Sequence, residues 1–163
     1  GKTTLAIEAM KAKAVQKGNR RIAYIATTYQ QARDICFDAL KKELAPIIKN
    51  INESRLEITV HTVDFGESII TLRGWESVET LRGQRFDMLI LDEVASMTKF
   101  WIGWNEVLRA TLTDTKGSAY FISTPKGYNH FYELYLKGIA GPQKDIAYES
   151  WQFTSFDNPH LPK

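Results

Sequence analysis

The sequence predicts an α/β fold in three layers, αβα, around a mostly parallel central sheet. Short apolar runs at 22–26, 86–91 and 119–123 alternate with longer segments of helical periodicity, the pattern of strands joined by crossover helices. The run at 86–91 is too continuously apolar for a half-exposed strand. We therefore expect it to lie in the centre of the sheet, with both faces covered.

The first third of the chain is predicted to fold as helix, strand and helix. The segment from Lys2 to about Gln16 is rich in Ala, Met and Lys and lacks Gly and Pro, so it predicts a helix that Gly18 caps. After the first strand, Thr27 or Thr28 can cap the next helix. The buried face of that helix is predicted from the i, i+3, i+4 spacing of Ala32, Ile35, Cys36, Ala39, Leu40 and Leu44.

The rest of the chain continues the alternation of strands and helices. Alternating residues at 56–60 and 68–72 flank Asp64-Phe65-Gly66 and indicate a β-hairpin. The remaining predicted elements are a short helix within 74–83, the central strand, a helix at 100–112, a buried strand at 119–123, a helix from Asn129 or His130 through Leu136, a last strand near 146–153 and a polar turn at 155–159. Trp101 and Trp104 fall on one side of their helix, where aromatic rings fit a core better than a cofactor site.

Composition and charge narrow the class of protein. The 163 residues suit one domain of ordinary size, and 44% hydrophobic and 25% charged residues are typical of a globular chain. Lys and Arg exceed Asp and Glu by only 21 to 19, so no overall positive field marks a nucleic-acid binder. Cys36 is the only cysteine, which excludes an intramolecular disulfide and favours a packing role. No apolar run approaches the length of a membrane span.

Two short motifs together predict a site that binds and hydrolyses ATP. Gly1-Lys2-Thr3-Thr4 matches the end of a phosphate-binding loop, in which Lys2 would reach the β- and γ-phosphates and the Thr3 hydroxyl would hold Mg²⁺. Asp92 and Glu93 follow the central strand. Asp92 would coordinate the metal, and Glu93 would polarise a water for attack on the γ-phosphorus. Taken singly, the first motif also arises by chance and the second also occurs as a solvated strand end.

The predicted phosphate-binding loop starts here on its second glycine. The first half of the loop and the strand that feeds it would lie outside the sequence, so we expect an N-terminally truncated domain. Its sheet should contain a gap where that strand belongs. Such a chain should hydrolyse ATP poorly by itself and should tend to associate through unpaired strand edges.

Five stretches in this order resemble the large terminase subunit of tailed bacteriophages, the P-loop ATPase that drives DNA into empty capsids. The stretches are GKTT at 1–4, YIATTYQQA at 24–32, LRGQRFD at 81–87, LILDE at 89–93 and ISTPKG at 122–127 with NHFY at 129–132. They span nearly the whole chain. The Leu-Arg-Gly stretch and the Ser-Thr-Pro-x-Gly stretch are far more specific than a generic phosphate-binding loop.

The resemblance implies roles for two more residues. Thr124 would be the strand-end hydroxyl of a coupling motif that senses the γ-phosphate, where the alternative is an ordinary Ser/Thr-Pro turn. Arg82 would reach the ATP of the neighbouring subunit as an arginine finger, because a fixed, always charged fork stabilises charge on the transferred phosphoryl group. The alternative is a solvated loop charge, and Arg85 is a near neighbour.

The resemblance also implies a cofactor set and partners. ATP and Mg²⁺ would occupy the site, and double-stranded DNA, the portal protein and the small terminase subunit would be partners. The chain would work in a homo-oligomeric ring at the procapsid portal in the cytoplasm of the bacterial host, without a membrane. Residues 1–155 would form the motor domain, and residues 156–163 would begin a linker to a nuclease domain that the sequence does not contain.

Two other functions stay open on the sequence alone. A helicase-like P-loop DNA translocase shares the phosphate-binding loop, the acid pair and the coupling turn. A catalytically silent ATP-binding assembly module would need the loop but not a water-activating acid, so Glu93 argues against it.

Overall fold

The computed structural model describes residues 1–154 and 157 of the chain. The chain divides into two compact units, Gly1–Thr124 and Pro125–Lys163. The first unit contains the sheet and the helices that cover it, and the second contains a helix and the loop that follows. The predicted boundary between residues 155 and 156 stays a prediction, because most of that region lies outside the described residues.

A six-stranded sheet forms the centre of the first unit. Its strands are β1 (Arg21–Ala26), β2 (Ile48–Asn52), β3 (Glu57–His61), β4 (Glu67–Gly74), β5 (Met88–Asp92) and β6 (Ser118–Ile122). The spatial order is β2-β3-β4-β1-β5-β6, in which β4, β1, β5 and β6 are parallel neighbours and β2 and β3 are antiparallel. All residues of β5 are buried between β1 and β6, which confirms the predicted central strand.

Helices on one face of the sheet pack on every second strand residue. They are α1 (Lys2–Val15), α2 (Tyr29–Ala32) and α3 (Asp38–Leu44), with a π-helical turn at Arg33–Phe37 between the last two. Their core takes Ile22 and Tyr24 from β1 and Met88 and Ile90 from β5, among others. The intervening strand residues face the opposite side, as expected for a sheet covered on both faces.

Aromatic residues fill much of the opposite face. The helical segment there consists of α4 (Phe100–Gly103), a π-helical turn (Trp104–Leu108) and α5 (Arg109–Thr111). Trp104 packs edge-on against Phe121 of β6 at 4.8 Å between ring centroids, and Trp75 stacks on Phe100 at 5.7 Å. Trp104 is buried and Trp101 is half-buried, so the predicted core role of these rings is confirmed. The three layers are therefore present.

Two details of the predicted helices are wrong. Ile35 and Ala39 are exposed, and Phe37 is buried instead, because the π-helical turn adds a residue to one turn and rotates the apolar face. Gly18 does not cap α1, since Asn19 takes the left-handed conformation with φ 62°. Gly18 has another constraint: a Cβ on Gly66 would lie 2.8 Å from its Cα.

The strand predictions also need correction. The hairpin of β3 and β4 is confirmed, but β2 was not predicted, because the polar Lys49-Asn50-Ile51-Asn52 lacks the alternation of a half-buried strand. The strand β6 is half-exposed rather than buried. The strand β6 pairs directly with β5, so the predicted gap in the sheet is absent between these two described strands.

The second unit contains α6 (His130–Gly138), which was predicted. The side chain of Asn129 caps it by accepting from the backbone N–H of Phe131 and Tyr132. The predicted strand near 146–153 is absent: those residues form turns and irregular structure. The predicted polar turn at 155–159 lies almost entirely outside the described residues. No helix in the described part of the chain is long and apolar enough to cross a bilayer.

Candidate active site

The candidate site lies where the carboxyl ends of the parallel strands meet the start of α1. Asp92 ends β5, Thr124 follows β6 by two residues, and Lys2 begins α1. Ligands of open α/β sheets bind at this edge because the strand ends and the helix starts converge there. The fold therefore brings residues from three distant parts of the sequence to one place.

Lys2 joins two of the predicted site residues directly. Its Nζ donates to Glu93 Oε1 across 2.7 Å and to Thr124 Oγ1 across 2.7 Å. The side chains of Lys2 and Glu93 are 42% and 34% exposed, so the ion pair is open to solvent. An ion pair this exposed contributes little to stability and can be exchanged for another partner.

Asp92 is the buried acid of the site, at 5% exposure. Its Oδ2 accepts from the Tyr24 hydroxyl across 2.6 Å, and its Oδ1 accepts from the Glu93 backbone N–H across 2.9 Å. Burial, together with the hydrogen bond to Asp92, raises the pKa of Tyr24 above its ordinary value. The phenol therefore stays protonated and donates to the carboxylate.

Sequence reasoning missed Tyr24. The available signal was that Tyr24 alone carries a polar tip within the apolar run at 22–26, and a buried tyrosine hydroxyl needs a partner. Cys36 lies in the same core. Burial raises the pKa of its thiol to about 12, with a smaller contribution from the charge of Asp92, so the thiol stays protonated and packs as predicted.

Glu93 has an unusual backbone conformation. Its φ and ψ of 57° and 42° lie in the left-handed region, which disfavours residues with a Cβ. The strand β5 ends immediately before it, and a short 3₁₀ turn at Val94–Ser96 follows. Ser123 Oγ accepts from the Ala95 N–H across 3.1 Å and so ties this turn to the end of β6. Strained residues of this kind concentrate at functional sites.

The start of α1 has the features of an anion site. The first intrahelical bond runs from Leu5 N–H to Gly1 O across 3.1 Å, so the amides of Lys2, Thr3 and Thr4 precede the helical ladder. Free amides and the helix dipole favour negative charge at such an end. Thr3 is half-buried and Thr4 is exposed.

Thr3 and Asp92 are a chemically suitable donor pair for Mg²⁺. Mg²⁺ prefers oxygen ligands and is commonly held by one or two carboxylates together with substrate phosphates and waters. Each Asp92 oxygen has one hydrogen bond and a remaining lone pair. No group of three or more His, Cys, Asp and Glu side chains that could hold a metal occurs among the described residues. A site completed by nucleotide phosphates needs no such group.

Arg82 is held elsewhere in its own chain. Its guanidinium hydrogen-bonds the Glu79 carboxylate and also donates to the Glu106 carbonyl across 2.9 Å. The hydrogen bond with Glu79 raises the pKa of Arg82 above its ordinary value. The side chain is 52% exposed. Arg82 therefore does not join the group of Lys2, Glu93 and Thr124 within one chain, and its role stays a prediction.

The chain is similar to large terminase subunits over its whole length. Residues 1–163 match the family model described as terminase large subunit, T4likevirus-type, N-terminal. The large terminase subunits of Thermus phage G20c and Thermus virus P23-45 are each 34% identical to the chain, in alignments that cover 74% of it. The same alignments cover 28% of each relative, so the chain corresponds to only part of these proteins.

Solved structures give the same result for the fold. A mutant of the large terminase ATPase domain of Thermus phage P74-26 superimposes with a TM-score of 0.74 at 28% identity, covering 95% of this chain and 70% of that one. The large terminase of another thermophilic bacteriophage, in complex with ATP-gamma-S, superimposes with a TM-score of 0.71 at 18% identity. That superposition covers 99% of this chain and 37% of that one, and it concerns the fold alone.

Proposed function

The chain belongs to the terminase large subunit family, and we propose that it is the ATPase motor domain that hydrolyses Mg-ATP to move double-stranded viral DNA into a procapsid. The observation that carries this proposal is the contact of Lys2 with both Glu93 and Thr124. These residues come from three separate motifs and meet at the edge of the sheet where a nucleotide would bind.

The phosphates of ATP would bind at the start of α1. The backbone amides of Lys2, Thr3 and Thr4 lie at this helix start, where the helix dipole favours the negative charge of the phosphates. Thr3 and Asp92 would hold Mg²⁺, which when bound neutralises charge on the β- and γ-phosphates. Lys2 would turn from Glu93 to the phosphates, since an exposed ion pair is easily exchanged.

Release by Lys2 would free Glu93 to act as the general base. Its carboxylate would then accept the proton of a water that attacks the γ-phosphorus in line. Thr124 loses the same lysine contact at the same moment, which suits a residue that senses the γ-phosphate. The arrangement thus links the loading of the site to the activation of its base.

Assembly would complete the site. Arg82 would leave Glu79 and reach the ATP of a neighbouring subunit, where its fork stabilises charge on the transferred phosphoryl group. We propose a homo-oligomeric ring on the portal protein, with the small terminase subunit and double-stranded DNA as further partners, in the cytoplasm of the bacterial host.

Two substitutions test the proposed chemistry in the intact protein. Glu93→Gln keeps the shape and removes the charge, so ATP should still bind while turnover falls by about 100-fold or more, the scale of a lost acid–base group. Lys2→Ala should weaken nucleotide binding as well as turnover, because it removes a phosphate contact. Glu43→Gln is the matched control, since Glu43 pairs with Lys11 across 2.7 Å on an exposed helix surface. Unchanged turnover in Glu93→Gln would refute the assignment.

DNA movement needs a separate measurement. Procapsids that carry the portal should take up double-stranded DNA in an ATP-dependent manner with the wild-type protein and not with Glu93→Gln. Strand separation without uptake would instead identify a helicase-like translocase. ATP binding without hydrolysis in the wild-type assembly would identify a silent binding module.

A further inference from the structure

Tyr24 lies fully buried in β1, with its ring in the core beneath α1. It pairs in register with Ile90 of β5, two residues before Asp92. Its hydroxyl extends along the sheet toward the carboxyl edge and donates to Asp92 Oδ2 across 2.6 Å. The ring packs as any core residue does, while the hydroxyl serves a single carboxylate.

The two oxygens of Asp92 are held by groups from different elements. The Glu93 N–H holds Oδ1 from the turn after β5, and the Tyr24 hydroxyl holds Oδ2 from the neighbouring strand. A buried carboxylate bonded at both oxygens cannot rotate without leaving a polar atom unsatisfied. The remaining lone pairs of Asp92 therefore point in fixed directions.

We propose that Tyr24 is a positioning residue that fixes the Asp92 carboxylate in the orientation that binds Mg²⁺, which rests on the function proposed above. A donor behind a metal-bound carboxylate sets its direction, and the loss of such a donor costs about 10- to 100-fold in metal affinity. Under this proposal Tyr24 would contact neither nucleotide nor metal, since its hydroxyl donates to Asp92. Its removal should act through Asp92 alone.

Tyr24→Phe removes the hydroxyl and keeps the ring in the core. We would measure binding of a fluorescent, non-hydrolysable ATP analogue to the intact protein, first in EDTA and then as Mg²⁺ is added. The Mg²⁺ concentration at half-maximal enhancement of binding should rise by about 10-fold or more in the variant. The affinity in EDTA should equal that of the wild type, because the phosphate contacts of α1 are untouched.

Tyr29→Phe is the matched control. Tyr29 is half-buried, and its hydroxyl donates to the Ser54 carbonyl across 3.1 Å in a solvent-exposed hydrogen bond, so the loss of this hydroxyl should leave the Mg²⁺ midpoint unchanged. An unchanged midpoint in Tyr24→Phe would overturn the proposal. Equal weakening of binding in EDTA and in Mg²⁺ would also overturn it, because that result indicates a general structural role. If wild-type binding does not respond to Mg²⁺, the proposed function itself fails and takes this inference with it.

A second measurement needs no substitution at Tyr24. In wild-type protein with isotope-labelled tyrosine, the ring resonances of Tyr24 should shift when Mg²⁺ is added to the nucleotide-bound form. The same addition should leave them in place in Asp92→Asn, whose side chain lacks the charged ligand. Resonances that do not respond in the wild type would overturn the proposal even if Tyr24→Phe fails to fold.

Discussion

Because Glu93 has a left-handed backbone conformation, we expect its replacement by glycine to favour the stability of the fold while it abolishes activity. The left-handed conformation costs a residue with a Cβ about 1–2 kcal/mol, a cost that glycine avoids. Glycine in turn loses about 0.5–1 kcal/mol through the greater freedom of the unfolded chain. Glu93→Gly should therefore be more stable to unfolding than Glu93→Gln, by about 1 kcal/mol.

The comparison of Glu93→Gly with Glu93→Gln isolates this backbone effect. Both variants lose the ion pair with Lys2 and the carboxylate proposed as the general base, so both should lose turnover by about 100-fold or more. Urea unfolding without nucleotide measures the stability difference between them. Lys116→Gly and Lys116→Gln form the control pair, because Lys116 is exposed and has a φ of 50°. Lys116 precedes the start of β6, whereas Asp92 lies beside the end of that strand. There the same stability order should appear with full turnover.

One result would refute the reasoning. At an ordinary exposed position Gly is less stable than Gln by roughly 0.5–1 kcal/mol, since it has the poorer backbone propensity. If the Gly variant at position 93 is the less stable by that amount while the pair at Lys116 behaves as expected, Glu93 is not strained. The residue would then be positioned by its side-chain contacts and not by the end of the strand.

Two further predictions concern assembly and pH. Mixing Arg82→Ala protein with Glu93→Gln protein should restore part of the ATPase activity, because some interfaces then pair an intact Glu93 with an intact Arg82. If rings form and the mixture is as inactive as either variant alone, Arg82 does not act across the subunit boundary. The hydrogen bond from the Thr62 hydroxyl, and then that from the Gly18 N–H at 2.9 Å, lowers the pKa of Asp64 below its ordinary value of 3.8. The Asp64 carboxylate therefore stabilises the fold above pH 3.8, and this stabilisation is lost as the pH falls through the pKa of Asp64 in the folded protein. The unfolding midpoint of Asp64→Asn should therefore lie below that of the wild type at pH 7, and the two should converge below pH 3.8; a constant difference would contradict the assignment.

The sequence predicts the helices and strands of this fold better than it predicts the contacts between them. Apolar runs and helical spacing predict β1, β5 and the helices, because burial on two faces or one leaves a periodic trace. The strand β2 has no such periodic pattern of apolar residues, because it lies at the sheet edge and its residues are largely solvated. Residues 146–153 show the opposite failure, since they have the pattern of a strand but form none. A strand also needs a neighbouring strand with which to pair, and the sequence pattern does not supply one.

The site divides in a similar way. Lys2, Glu93 and Thr124 belong to recognisable motifs, and the parallel topology brings them together. The contact of Tyr24 with Asp92 depends on the register between two strands, which no local pattern records. The proposed role of Arg82 would depend on a neighbouring subunit, and within its own chain Arg82 is bonded to Glu79 and Glu106 instead.

The helix α1 also provides a frame of reference for motion in the molecule. Its 14 residues make a rod about 21 Å long, with Lys2 at one end. At the other end the Val15 carbonyl accepts from the Val63 N–H across 3.0 Å, and the Asp64 carboxylate accepts from the Gly18 N–H across 2.9 Å. These hydrogen bonds hold the hairpin turn against the same helix whose first turn carries the proposed phosphate-binding residues. Two spectroscopic labels, one on that turn and one on the first turn of α1, should keep a constant separation through an ATPase cycle. Displacements of other segments can then be measured relative to this pair.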